Sequence, residues 1–319
     1  MSTNPENDNL IHDTGYKLLF SHATLVQQLL EGFAPAELVE LLDFSTLRIE
    51  NGSYITPAMK QREDDVVWSV QMGEDTLYLY ILLEFQSTTD ASMPIRMVQY
   101  VSALYESLVK DKRVNPSKGL PPVFPIVLYN GETRWQISHN INQLIHCPAV
   151  LAPYQPSMRY YLLDEGAYTP DELNQVHNAV SAVFCLENAK TYDDMVLAIE
   201  KMAESIKQLP DKQRLDKVIS YWLKKHLQRN LPEVEIPQTE QLLEEKSMFA
   251  LNIRNIYQNT RQEALQLGRQ EGIQLGKQEA KLDAAKVMLS LGISAEVVAE
   301  KLDLPLRLLE GFTTPSQPH

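Results

Sequence analysis

The sequence predicts a mixed α/β domain followed by a helical C-terminal segment. Three observations predict it. Runs rich in Val, Ile, Leu and Tyr at 65–72, 77–86 and 123–131 read as strands. Apolar residues recur at helical spacing across 16–43, and most of the chain beyond residue 170 is helical in pattern. The composition is that of a globular chain: 319 residues, 44% hydrophobic and 22% charged. A chain of that length buries a sizeable core without disulfide or zinc staples, and its length fits about two domains.

The elements follow in order. Residues 1–10 are polar and acidic and read as a disordered tail. Tyr16, Leu19, Phe20, Leu25, Leu29, Leu30, Phe33, Leu38, Leu41 and Leu42 mark helix, with Pro35 placed to open a second one. A strand over 45–50 ends at an Asn51-Gly52 turn. The strands 65–72 and 77–86 flank a GEDT turn, and a helix fits 94–112. Pro121, Pro122 and Pro125 lead into the buried strand 123–131, and another strand fits 154–163. Helices are expected over 170–189, 191–208 and 211–229. The domain spanning 11–230 closes at a proline-containing linker, 231–239. The segment 240–319 carries Gly268, Gly272 and Gly276 every fourth residue. They share one helix stripe, which suggests a helix–helix dimer. Residues 288–312 have the spacing of a helix-turn-helix, with Gly292 at a turn and Pro305 opening the last helix. Arg307 is the lone cation of that last helix, so a packing role is favoured over DNA reading.

Composition excludes several classes. A net charge of −13 and a pI near 5.0 argue against a bulk positive coat for DNA or anionic lipid, though a local basic channel is compatible. No apolar run approaches the ~18 residues of a membrane span, and the first ten residues do not resemble a secretory signal. Cys147 and Cys185 make no disulfide framework, so a cytoplasmic setting without membrane partners is expected. The sequence has no histidine pair at metal-ligand spacing, no phosphate-binding glycine loop and no G-x-S-x-G elbow.

The chemistry concentrates in one hairpin. A turn centred between Glu74 and Asp75 sets Asp65 opposite Glu84. Asp65, Glu84 and Gln86 then project from one face. The other face reads Val66, Trp68, Val70, Met72, Leu77, Leu79, Ile81 and Leu83, all apolar, and a slip of one residue would bury Asp65 among them. Two carboxylates one strand apart repel, and a hard divalent cation relieves that repulsion; Mg²⁺ suits one or two carboxylates plus water. A solvated strand end with two acids and an amide is the alternative reading of the same spacing.

Five segments in order add a resemblance: HDTGYKLLFS (12–21), REDDVVW (62–68), LLEFQS (82–87), MPIRMVQY (93–100) and PIVLYNGETRW (125–135). Together they resemble the YhgA-like family of recombination-promoting nucleases and transposases, within the PD-(D/E)XK nuclease superfamily. The resemblance implies a restriction-endonuclease-like mixed central sheet flanked by helices. It also implies metal-dependent DNA endonuclease activity tied to recombination, mobile elements or defence, with Mg²⁺ held by Asp65 and Glu84. Gln86 stands where the wider superfamily has a catalytic lysine; an amide can orient water but carries no charge. Lys17 and Arg96 lie in matching segments and are candidates for the missing cation. Arg96 either holds a phosphate or pairs with a site acid. Asp13 is either a helix cap or a further site acid. Phe85 and Asp64 depart from the family pattern, and Asp64, Glu63 and Glu50 read as surface acids. A catalytically weak DNA-binding or assembly protein that kept the fold is the second reading, and an enzyme acting on RNA the third.

Overall fold

The computed structural model describes residues 15–50, 65–84, 89–131, 133–231 and 242–309. Five strands form one sheet in the order β1-β2-β3-β4-β5. They are β1 (Leu42–Ile49), β2 (Asp65–Met72), β3 (Asp75–Glu84), β4 (Val123–Tyr129) and β5 (Tyr161–Asp164). The first three pair antiparallel, whereas β4 and β5 run parallel to β3. The parallel step from β3 to β4 needs a crossover, and α4 (Met93–Lys110) supplies it. A mixed sheet flanked by helices is thus the architecture that the family resemblance implies.

Period-two alternation gives the sheet two buried faces. On one, Val67, Tyr78, Tyr80, Leu82 and Val127 pack against Met93, Met97, Tyr100, Leu104 and Leu108 of α4. Those helical positions recur every three or four residues and form one stripe. Pro94 fits the first turn of α4, where its missing N–H costs nothing. On the other face Val66, Trp68, Val70, Leu79, Ile81, Ile126 and Leu128 are all buried. The Trp68 indole donates to the Phe20 carbonyl at 2.9 Å, tying that face to α1, helical over 15–20. Each fully buried Val, Leu or Ile contributes roughly 1.5–3 kcal/mol, so both faces resist a register slip.

The hairpin register is shifted by two residues from the expectation. Met72 pairs with Asp75 and Asp65 with Leu82. The two turn residues are therefore Gly73 and Glu74. Gly73 has φ +63°, and the first position of a tight hairpin turn calls for that left-handed backbone. A shift of two leaves every side chain on its expected face.

Other boundaries moved for local reasons. The strand expected over 154–163 is shorter, because Ala149–Tyr154 forms a 3-10 helix and Pro153 and Pro156 cannot donate to a ladder. The single helix expected over 170–189 is two, α5 (Pro170–Gln175) and α6 (Ala179–Glu187). Asn178 breaks it: its side chain caps Ser181 N–H at 2.8 Å and donates to the Gln28 carbonyl at 2.9 Å. The α7 (Tyr192–Lys207) helix starts at a Thr191–Asp194 capping box, and α8 (Lys212–Asn230) follows. The short α2 (Ala23–Phe33) and α3 (Ala36–Val39) precede the sheet, with Pro35 as the cap of α3.

By contacts the chain divides into two compact units, Met1–Arg254 and Asn255–His319. The helix α9 (Leu242–Ser290) starts in the first, where Leu242 N–H donates to Ser220 Oγ at 2.7 Å. In the second, Ala285, Val298 and Leu309 form a small core with Met288, Leu289, Ile293 and Leu302. Gly292 (φ +84°) and Asp303 (φ +51°) turn the chain on either side of α10 (Ala295–Leu302). A side chain at Gly268, Gly272 or Gly276 would meet nothing within 4 Å. Among the described residues no helix is long and apolar enough to cross a membrane. The tail 1–10, the Asn51-Gly52 turn and most of the linker 231–239 lie outside the described residues.

Candidate active site

Asp65 opens β2 and Glu84 ends β3. Because Asp65 pairs with Leu82, Glu84 is its diagonal neighbour on the same face. Diagonal neighbours sit about 7–8 Å apart at Cα, within reach of two carboxylate arms. The row continues sideways: Glu84 pairs with Tyr129, and Tyr129 with Asp164. These positions close the C-terminal ends of the three parallel strands, where open α/β sheets place their ligand crevices.

The acid-bearing face is the one that α4 covers. Tyr100 stacks on Tyr80 with ring centroids 5.5 Å apart. Arg113, just past the C-terminus of α4, lies over the Tyr78 ring and donates to its hydroxyl at 3.3 Å. The N-terminal end of α4 therefore points toward the Leu82–Glu84 end of β3, and its partial positive charge favours anions there. Arg96 lies in that first turn. It pairs with Asp90 at 2.8 Å and sits over the Tyr100 ring. Asp90, which sequence reasoning missed, is an acid partner of Arg96. Burial pushes the Asp90 carboxyl up. The Ser92 hydroxyl, the Arg96 guanidinium and the Ser92 N–H outweigh it and hold Asp90 below the usual carboxylate range.

Three acids on this side of the sheet are committed to arginines. Glu50, expected at the surface, has a side chain only 9% exposed and a bidentate bond from Arg113 at 2.6 and 3.0 Å. Asp164 takes the Arg134 guanidinium on one oxygen and the Trp135 N–H at 3.1 Å on the other. With Asp90, these are arginine-bound carboxylates and poor candidates for metal donors. Tyr129, the backbone partner of Glu84, belongs to an aromatic group with Trp135 and Tyr160. Tyr129 donates to the Thr133 carbonyl at 2.7 Å, and the Trp135 indole donates to the Tyr160 hydroxyl at 3.1 Å. Burial, with the Asp90 charge nearby, pushes the Tyr160 phenol up to about 12. Gly131 is required here because any side chain would collide with the Tyr129 ring.

Lys17 is not on the α4 side. It belongs to α1, which packs on the opposite face of the sheet, so Lys17 and Arg96 approach from different layers. Asp13, Gln86, Glu63 and Asp64 lie outside the described residues, and Asp65 and Glu84 are placed by their backbone. The side chains found only in the fold, Asp90, Arg134 and Asp164, carry no local sign of their partners. Asp164 and Arg134 are 30 residues apart.

The profile of the family described as "Putative transposase, YhgA-like" matches residues 11–217. The chain belongs to this family. All six candidates, Asp13, Lys17, Asp65, Glu84, Gln86 and Arg96, fall inside the YhgA-like match, and the C-terminal unit lies beyond it. Recombination-promoting nuclease RpnC of Escherichia coli K12 is 31% identical over 197 residues, 61% of this chain and 63% of its own. Recombination-promoting nuclease RpnA of the same strain is 27% identical over 193 residues, 60% of this chain and 64% of its own. A relative named as an inactive recombination-promoting nuclease-like protein, RpnE, is 24% identical over 191 residues, 60% of this chain and 62% of its own. The YhgA-like chain thus spans less than two thirds of the length of these relatives. No solved structure matches it.

Proposed function

We propose that this chain is a metal-dependent DNA endonuclease acting in recombination-type processes. The observation that carries the reading is the diagonal placement of Asp65 and Glu84 on one sheet face, at the C-terminal end of β3 and near the N-terminus of α4. The naming of relatives such as RpnC and RpnA as recombination-promoting nucleases supports it.

The donor set fits Mg²⁺: two carboxylates about 7–8 Å apart at Cα leave room for one ion and its waters. Asp65 and Glu84 would hold it. When bound, the ion polarises a phosphodiester and lowers the pKa of a water. The protein's own groups supply the rest. The α4 N-terminus offers partial positive charge to a phosphate, and Gln86 can orient a water by hydrogen bonding. Burial of Tyr80, Tyr100 and Leu82 excludes bulk water from the floor of the site. Gln86 provides no charge to stabilise hydroxide, so cleavage should be intrinsically slow. That feature, with the inactive naming of RpnE, favours a second reading: a DNA-binding or assembly protein of the same fold.

Plasmid cleavage with Mg²⁺, with and without chelator, separates the two. In the first reading the parent chain nicks DNA, chelator stops it, and Asp65→Ala or Glu84→Ala lowers the rate by about 10²-fold or more. Circular dichroism should show both variants folded. Mg²⁺ should raise the melting temperature of the parent alone. Parent-rate cleavage in either variant refutes the site. A folded parent chain that binds but never cuts DNA establishes the second reading.

A further inference from the structure

A cavity of about 480 Å³ opens beside the segment that follows β5. Its walls come from the turn after β5, from α5, and from α6 and α7; Tyr168, Leu173, Leu197 and Ala198 make much of it apolar. That volume lies within the range of roughly 300–1,000 Å³ that small-molecule sites occupy. The exceptional wall residue is Lys201. Its ammonium is drawn into a half-buried position, donating to the Leu173 carbonyl at 2.6 Å and to Ser181 Oγ at 3.0 Å. Its third contact is to Cys185 Sγ at 3.7 Å, long and weak. No carboxylate pairs with Lys201 among the described residues. Asp194, on the same rim, is held by the N–H groups of Lys190 and Thr191 at the start of α7.

A partly desolvated ammonium without a counter-charge is costly, and an anion beside it offsets that cost. The third N–H, spent only on a thiol, is the donor that such an anion would take. We propose that this cavity binds a small organic anion, with one acidic group at Lys201 and an apolar body against Tyr168, Leu173 and Leu197. This is independent of the nuclease reading. The site nevertheless adjoins the acid row. Gly166 lines the cavity and packs so closely on the Arg134 guanidinium that a side chain there would collide with it. Asn188, also in the wall, donates to the Glu165 carbonyl at 2.7 Å. An occupant therefore touches the segment that follows Asp164.

The test uses the full chain carrying Cys147→Ser, so that alkylation by N-ethylmaleimide reads Cys185. The probes are 8-anilinonaphthalene-1-sulfonate and its uncharged analogue N-phenyl-1-naphthylamine. The sulfonate should bind at least tenfold tighter than the analogue and should slow Cys185 alkylation at least tenfold at saturation. Lys201→Met should weaken the sulfonate about tenfold and leave the analogue within twofold. Leu197→Trp, a change at an exposed rim position, should weaken both by filling the mouth. Unprotected Cys185, or equal sulfonate binding in Lys201→Met, overturns the proposal. If circular dichroism shows Lys201→Met unfolded, the parent chain decides: a preference below twofold for the sulfonate overturns it.

Discussion

Single side chains decide most of what can be tested first. The family resemblance aligns Gln86 with a catalytic lysine of the wider superfamily, so the proposed nuclease reading is testable there. Gln86→Lys should keep or raise cleavage, because in the proposed site a lysine would supply the missing charge and the two acids would keep it protonated. Gln86→Leu should lower the rate by about 10²–10³, the usual loss for one such polar contact. Cleavage rates at matched Mg²⁺ check both; an unchanged Gln86→Leu makes Gln86 a plain strand residue. A lost Gln86→Lys means that another cation, Lys17 or Arg96, fills the role.

Glu165 offers a second test at this scale. It is 1% exposed, next to Glu187, and accepts the Tyr16 hydroxyl at 2.9 Å. Burial first, and the Glu187 charge second, push its carboxyl well above the usual range. The folded chain therefore keeps a proton that the unfolded chain releases above the ordinary glutamate value of about 4.3. This contribution to stability is fully present below that pH and is lost as pH rises toward the folded value. Glu165→Gln cannot ionise and still offers Tyr16 an oxygen. Its melting temperature should gain on the parent steadily from pH 5 to pH 8. Parallel melting curves across that range would show that Glu165 does not titrate there.

Among the elements, the hairpin β2–β3 shows how a partial reading succeeds. Alternation alone put Asp65 and Glu84 on one face and Val66, Trp68 and Leu79 on the other, and the sheet has that arrangement. The pairing register was misjudged by two because GEDT holds more than one possible turn centre. Only the positive φ of Gly73 selects it. The β4 end depends on a second glycine. Gly131→Ala should displace the Tyr129 ring from its bond to Thr133 and its contact with Trp135, costing about 1–3 kcal/mol. Urea unfolding measures that cost. No change in midpoint would mean that the loop after β4 shifts freely.

For the molecule as a whole, α9 carries the prediction. Three glycines in one helix cost roughly 3 kcal/mol relative to alanine. Leu265, Ile273 and Leu275 near them are 64%, 49% and 61% exposed. A second copy packed along that stripe would offset both costs, so the full chain should be a dimer by light scattering. Gly272→Glu puts a charge in the stripe and should yield monomers. A dimer that survives the change places its interface elsewhere.

By itself the sequence determined the sheet faces, the α4 stripe and the family of the chain, because alternation, helical period and short motifs are local properties of neighbouring residues. It also indicated which carboxylates share a face. The tertiary structure decided the partners of other acids. Tyr16 reaches Glu165 across 149 residues and Arg113 reaches Glu50 across 63. Such pairs form because burial forces each polar or charged group to find a partner, and which partner is nearest depends on how the layers stack. Asp164 joined the row of Glu84 only once β5 lay beside β4. Lys17 and Arg96 looked interchangeable in the sequence, and the sheet set them in different layers.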